Sequence, residues 1–219
     1  MHIKHIIDVQ SLTTTYILSI FKLTQDIQAE EKNPLYKGSF SDRIVATVFY
    51  EPSTRTRLSF ESAVYRLGGN IITVEDASES SSVTKGETLS DTIKTISSYA
   101  DAIILRHPDD NSSMVAAEAS SVPIINAGAG KAEHPTQALL DGYTIYQHLG
   151  RIENIHITMV GDLLRGRTIY SLVYLLTKFP NNTFTFVSSV NFKMRDELRD
   201  FLTKHNISFQ EKEGLDEET

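Results

Sequence analysis

The chain has 219 residues, enough to bury a sizeable core in one large domain or two small ones, with ordinary globular proportions of hydrophobic (40%) and charged (22%) residues. A net charge of -7 argues against nucleic acid as a partner, and the absence of cysteine excludes disulfides, thiolate metal sites and cysteine nucleophiles. No run approaches the roughly 18 apolar residues of a membrane span, and Met1-His2-Ile3-Lys4-His5 opens no secretory signal, so a cytoplasmic protein is expected.

In chain order, residues 12 to 31 place Ile17, Ile20, Phe21 and Ile27 at near-helical spacing, with Thr13 or Thr14 as cap. After the turn signal Asn33-Pro34-Leu35-Tyr36-Lys37-Gly38 a rhythm begins. Strands are predicted over 43–50, 70–74, 102–106, 122–127, 156–160 and 183–187. Helices alternate with them over 55–67, 87–99, 112–119, 135–149, 168–178 and 191–205. This alternation implies an α/β protein with parallel sheets, whose ligands sit beyond the carboxyl ends of the strands. Residues 149–154 end a long helix and restart the pattern, which divides the chain into domains 1–149 and 150–219.

The motifs lie at those carboxyl ends. Ser53-Thr54-Arg55-Thr56 follows a strand closed by Pro52, and Ser or Thr there caps the next helix. First-turn amides, hydroxyls and a guanidinium together make a cage for a phosphate dianion. The alternative is a capped surface helix with incidental arginines. Lys85 follows the serine-rich loop 78–82 and offers a point charge to phosphate, although by itself it reads as a solvated lysine. Arg106 sits at the end of an apolar strand, placed either to reach a ligand or to pair with a carboxylate. His134 precedes Pro135 at a helix start and is suited to donate to a carbonyl oxygen, and Gln137 offers both a donor and an acceptor.

Two glycine motifs are set aside. Gly128-Ala129-Gly130-Lys131-Ala132 has the wrong glycine spacing for a nucleotide loop and lacks its hydroxyl. Gly161-Asp162-Leu163-Leu164-Arg165-Gly166 has Leu163 where a dinucleotide fingerprint needs glycine. The histidines show no metal-ligand spacing, so no metal and no cofactor are expected.

Taken together, the strings beginning at Phe49, Lys85, His134 and Gly161 resemble the aspartate/ornithine carbamoyltransferase family in order and spacing. His-Pro-Thr-Gln and the lysine of Lys-Gly-Glu-Thr resemble its aspartate branch. The resemblance implies two parallel-sheet α/β domains and transfer of a carbamoyl group from carbamoyl phosphate to L-aspartate. It assigns the phosphate to Ser53, Thr54, Arg55 and Thr56, and the carbamoyl oxygen to Thr56, Arg106 and His134. Gln137 would orient the carbamoyl amide and Arg167 would receive a carboxylate of aspartate. Ser81 and Lys85 match residues that reach a neighbouring subunit's site, which implies a homotrimer, with regulatory chains a further possibility.

Family members continue past the position of Thr219 with a strand, an arginine- and glutamine-bearing loop, a proline–leucine loop and a terminal helix. The second domain is therefore expected to be incomplete, with two strand–helix units. A carbamoyltransferase for another amine such as ornithine, and a non-catalytic carbamoyl phosphate-binding chain, are the alternatives.

Overall fold

The computed structural model describes residues 4–29, 36–75, 86–130 and 133–214. They fall into two compact units, Met1–Thr136 and Gln137–Thr219.

The first unit opens with an irregular segment and helix α1 (Thr14–Ala29), which buries Ile17 and Phe21. Thr13 Oγ1 accepts from the Tyr16 amide at 3.2 Å, so of the two threonines it is Thr13 that caps. Strands β1 (Ile44–Phe49), β2 (Asn70–Val74), β3 (Ala102–His107) and β4 (Ile124–Ala129) follow, with helices α2 (Thr54–Arg66), α3 (Leu89–Ser97) and α4 (Ser112–Ala119) between them. All pairings are parallel, in the order β2-β1-β3-β4. The central strands β1 and β3 are the near-continuous apolar runs Ile-Val-Ala-Thr-Val-Phe, broken only by buried Thr47, and Ala-Ile-Ile-Leu, as burial on both faces demands. Edge strand β2 is mostly exposed.

Strand alternation sorts the core into two layers. Ala46 and Val48 of β1 pack with Ile93 and Ile96 of α3, Ala116 of α4, and Ile103 and Leu105 of β3. Val45 and Phe49 pack on the opposite face with Val64 and Phe60 of α2 and Ile104. Helix α2 therefore covers one face, and α3 with α4 the other. The winding reverses between β1 and β3, and a crevice opens at their carboxyl ends.

The N-terminal segment extends the sheet by one rung beyond β4. Ile6 bridges Ile125, donating to Ile124 O and accepting from the Asn126 amide, each at 2.8 Å. His5 Nδ1 accepts from the Ile124 amide at 3.1 Å, and burial holds its imidazole below the ordinary range.

Helix α5 (Pro135–Leu149) begins at the end of the first unit, and the second unit goes on through β5 (His156–Val160), α6 (Arg167–Leu176), β6 (Thr183–Val187), α7 (Asp196–Lys204) and β7 (Phe209–Lys212), a parallel sheet in the order β5-β6-β7. Buried Asn182 ties this unit together. Its Nδ2 donates to Ile152 O and Leu176 O, both at 2.9 Å, while its Oδ1 accepts from the Ile155 amide at 3.1 Å. Strand β7 adds a third strand to the two expected, its polar and charged residues Gln210-Glu211-Lys212 pairing in register with β6. The helix expected over 191–205 begins only at Asp196. Val190–Phe192 is a 3-10 turn, and the Arg195 amide is taken by Tyr170 Oη at 2.7 Å before the acidic first turn starts.

Helix α2 ends in two glycines used for their geometry. Gly68 (φ +83°) donates to Tyr65 O at 3.0 Å and Gly69 to Val64 O at 2.9 Å, the paired bonds of a Schellman cap. A Cβ on Gly68 would stand 2.9 Å from Gly38 Cα. Replacing Gly68 with Ala is expected to cost at least about 1–2 kcal/mol for the left-handed backbone alone, read as a lower urea midpoint with unchanged m.

Candidate active site

The crevice between β1 and β3 is where the sequence motifs converge. The Tyr50 amide donates to Arg106 O at 2.9 Å, which holds the end of β1 beside the end of β3. The chain then passes through Glu51 and Pro52 into α2. Ser53, the residue before α2, makes no side-chain cap bond, contrary to the capping expectation. With ψ at 83° it departs from the extended geometry in which a cap hydroxyl reaches back to the helix. The first helical amide to find a carbonyl is Arg57, on Ser53 O at 3.0 Å. The amides of Thr54, Arg55 and Thr56 precede it, so the positive end of the helix is left to external acceptors.

Phe49, Glu51, Ser53 and Thr54 line a cavity of about 130 Å³ there. Pro52, Arg57 and Glu75 complete its lining. Arg55 is exposed and Thr56 half-buried on the first turn. Arg57 is a site neighbour that the sequence motif contained without giving it a role. It pairs with Glu75 and lies 3.6 Å from Glu61. Glu61 in turn accepts from Thr47 of β1 and Thr73 of β2, each at 3.1 Å, which pins the first turns of α2 to the sheet.

Arg106 ends in a side chain only 14% exposed, its Nε 3.6 Å from Glu51. Opposite it the β3–β4 ladder slips: Leu105 pairs with Asn126, but His107 pairs with Ala129. Strand β4 thus carries one extra residue at Ala127–Gly128, a bulge that is uncommon between parallel strands and re-aims the groups beside it. Arg106 Nη1 reaches Ala127 O at 3.5 Å. A Cβ on Gly128 (φ +118°) would stand 3.4 Å from Arg106 Nη1 and 3.6 Å from His134 Nε2. The guanidinium and the imidazole thus converge on the same face of Gly128, whose positive φ is the reason glycine is favoured there. Sequence reasoning set this glycine aside with a rejected nucleotide loop.

His134 is 9% exposed and buried Pro135 opens the following helix. Next to Arg106, His107 lies against the Tyr50 ring at 4.4 Å and accepts the Asp109 amide on Nδ1 at 3.0 Å. Burial lowers the His107 pKa, opposed by the nearby Asp109 and Glu51 charges, and burial raises that of the Tyr50 phenol.

Ser53, Thr54, Arg55, Thr56, Arg106 and His134 all belong to the first unit. Gln137 and Arg167 belong to the second, and Ser81 and Lys85 lie outside the described residues. Gln137 donates its amide to Asp141 at 2.8 Å, and Arg167 is the first residue of α6. In that unit Asp162 Oδ1 takes the Leu164 and Arg165 amides at 3.1 and 2.9 Å. These bonds shape the loop after β5 beside a cavity of about 700 Å³, lined by Gly161, Ser188 and Glu213 among others. No metal-holding cluster and no membrane-length apolar helix occurs among the described residues.

Residues 4–147 match the family described as aspartate/ornithine carbamoyltransferase, carbamoyl-P binding domain, and the chain belongs to that family. It is 44% identical over 213 residues to a chloroplastic aspartate carbamoyltransferase of Arabidopsis thaliana, a match covering 97% of this chain and 55% of the plant protein. To the aspartate carbamoyltransferase catalytic subunit of Methanocaldococcus jannaschii it is 49% identical over 218 residues, covering 98% and 70% of the two chains. A crystal structure of that archaeal catalytic subunit superposes with a TM-score of 0.90 at 48% identity, covering 97% of this chain and 69% of the other. The Trypanosoma cruzi aspartate transcarbamoylase in complex with carbamoyl aspartate and phosphate superposes at 0.87 and 34% identity, covering 98% and 71%. The chain thus spans little more than half the length of the plant relative, and the family resemblance read from the motifs is confirmed.

The lowered His107 and His5 pKa values both disfavour the protonated, folded chain. Their contribution to stability is intact above the ordinary imidazole value of 6.5 and is lost as pH falls through the lower folded values. Urea midpoints of a His107→Gln variant are expected to fall less steeply than wild type below that pH, and those of the His5→Gln/His107→Gln double variant less steeply still.

Proposed function

We propose that this chain transfers the carbamoyl group of carbamoyl phosphate to the α-amino group of L-aspartate, giving N-carbamoyl-L-aspartate and phosphate for pyrimidine synthesis. The observation that carries the reading is the convergence of Arg106 and His134 over Gly128, beside the open start of α2. A phosphate and a carbonyl oxygen are the two anionic or incipiently anionic groups of carbamoyl phosphate, and each has a matching cluster of donors. The Trypanosoma cruzi relative, solved in complex with carbamoyl phosphate and aspartate, supports the choice of substrates.

In this reading Ser53, Thr54, Arg55 and Thr56 hold the phosphate. Residues 1–149 form the carbamoyl phosphate-binding domain and residues 150–219 contribute to the acceptor domain. Attack of the amine forms a C–N bond and builds charge on the carbonyl oxygen, which Thr56, Arg106 and His134 stabilise. The C–O bond to phosphate then breaks. The departing phosphate takes the amine's proton, and Arg55 offsets its charge. Gln137 orients the carbamoyl amide, and Arg167 takes a carboxylate of aspartate. Ser81 and Lys85 act in a neighbouring subunit's site, within a cytoplasmic homotrimer. Because positioning and electrostatics carry the chemistry, no covalent intermediate is invoked.

The test is a carbamoyl-transfer assay of the chain with aspartate and ornithine as competing acceptors, together with Arg106→Ala and His134→Ala variants. Each variant is expected to lower kcat by about 10²–10³, the loss typical of one oxyanion donor. Carbamoylation of ornithine in place of aspartate would overturn the acceptor. Phosphate binding without turnover would leave a binding chain in place of an enzyme.

A further inference from the structure

The bulge in β4 raises a question of hydrogen bonding. Where a ladder slips, a backbone amide loses its cross-strand partner, and a buried amide without an acceptor is costly. The Gly128 amide finds its acceptor in the side chain two residues earlier, Asn126 Oδ1 at 2.7 Å. Asn126 is 1% exposed, and its Nδ2 donates to Ile7 O at 2.8 Å and to Glu133 O at 3.4 Å. One side chain therefore grips the bulge, the N-terminal rung and the residue directly before His134. The Glu133 carboxylate is itself anchored by the Val9 amide at 2.7 Å and Gln10 Nε2 at 2.9 Å.

Only a primary amide meets all three demands. Aspartate would face the carbonyls of Ile7 and Glu133 with oxygen, and leucine would leave the Gly128 amide unanswered. The groups whose placement depends on this grip are Arg106, resting on Ala127 O and Gly128, and His134, which meets the same face of Gly128.

We propose that Asn126 is a positioning residue for the carbamoyl half of the site, setting the separation of His134 from the Arg106 guanidinium through the Gly128 bulge. This rests on the carbamoyl phosphate reading above. The phosphate half is built on α2, whose anchors are Glu61, Thr47 and Thr73, and Asn126 touches none of them. A fold clamp alone would weaken the whole unit. A positioning residue affects one end of the ligand.

The experiment compares Asn126→Asp with the smaller Asn126→Ser, which keeps a donor and an acceptor should the aspartate variant fail to fold. Binding of inorganic phosphate and of carbamoyl phosphate is measured by calorimetry. The His134 ring ¹⁵N resonances are recorded in the ligand-free chain. Expected are unchanged phosphate affinity, a carbamoyl phosphate affinity lowered about tenfold, and displaced His134 resonances. Equal losses for both ligands, an unchanged carbamoyl phosphate affinity, or wild-type His134 resonances would each overturn the positioning role. If the wild-type chain does not distinguish carbamoyl phosphate from phosphate, the proposed function fails, and the His134 resonances still decide the role of Asn126.

Discussion

A parallel sheet ordered β2-β1-β3-β4 must wind outward from β1 in one direction and then turn back across it. Because each crossover is right-handed, the helices before and after that reversal lie on opposite faces. The first unit obeys this constraint, with Phe60 and Val64 of α2 on one side and Ile93 and Ile96 of α3 on the other. The loops after β1 and β3 must diverge, and their separation leaves room for a ligand against backbone amides. The Ser53 corner and Arg106 are the two lips of that opening, joined at its floor by the bond from Tyr50 to Arg106.

Charge inside the opening is balanced locally. Arg57 faces Glu61 and Glu75, and Arg106 faces Glu51. In a chain of net charge -7, both arginines with mostly buried side chains at the crevice, Arg57 and Arg106, have a carboxylate within salt-bridge reach. The carboxylates orient the guanidinium groups and keep the ligand-free crevice from carrying a concentrated positive charge. An arriving anion then competes with partners in a partly solvated setting, where such pairs are worth little.

Much of the fold was legible in the sequence. Apolar runs mark β1 and β3 as strands, glycines 68 and 69 mark the end of α2, and Ser53-Thr54-Arg55-Thr56 falls where α2 starts at the carboxyl end of β1. What escaped depends on contacts between distant residues. Strand β7 is written in charged letters and exists through its register with β6. The start of α7 is set by a tyrosine hydroxyl 25 positions away. The Ser53 backbone turned its hydroxyl from the capping role that its residue type suggests. Asn126 and Gly128 matter because of a ladder slip, and no local pattern signals that.

The single rung formed by Ile6 beside β4 has a consequence for the order of events in folding. The bonds that secure it join residues 119 positions apart, and those holding Glu133 join residues 123 and 124 apart. Contacts of such separation close the longest loops in the unit and are entropically the last to be rewarded. The central strands and their helices pair over shorter distances and have a core of their own. On a ribosome, the segment carrying Ile6 emerges before its partners and waits for more than a hundred further residues until they exist. The crevice is thus framed early, and the side that carries His134 is secured last, when the two ends of the unit meet.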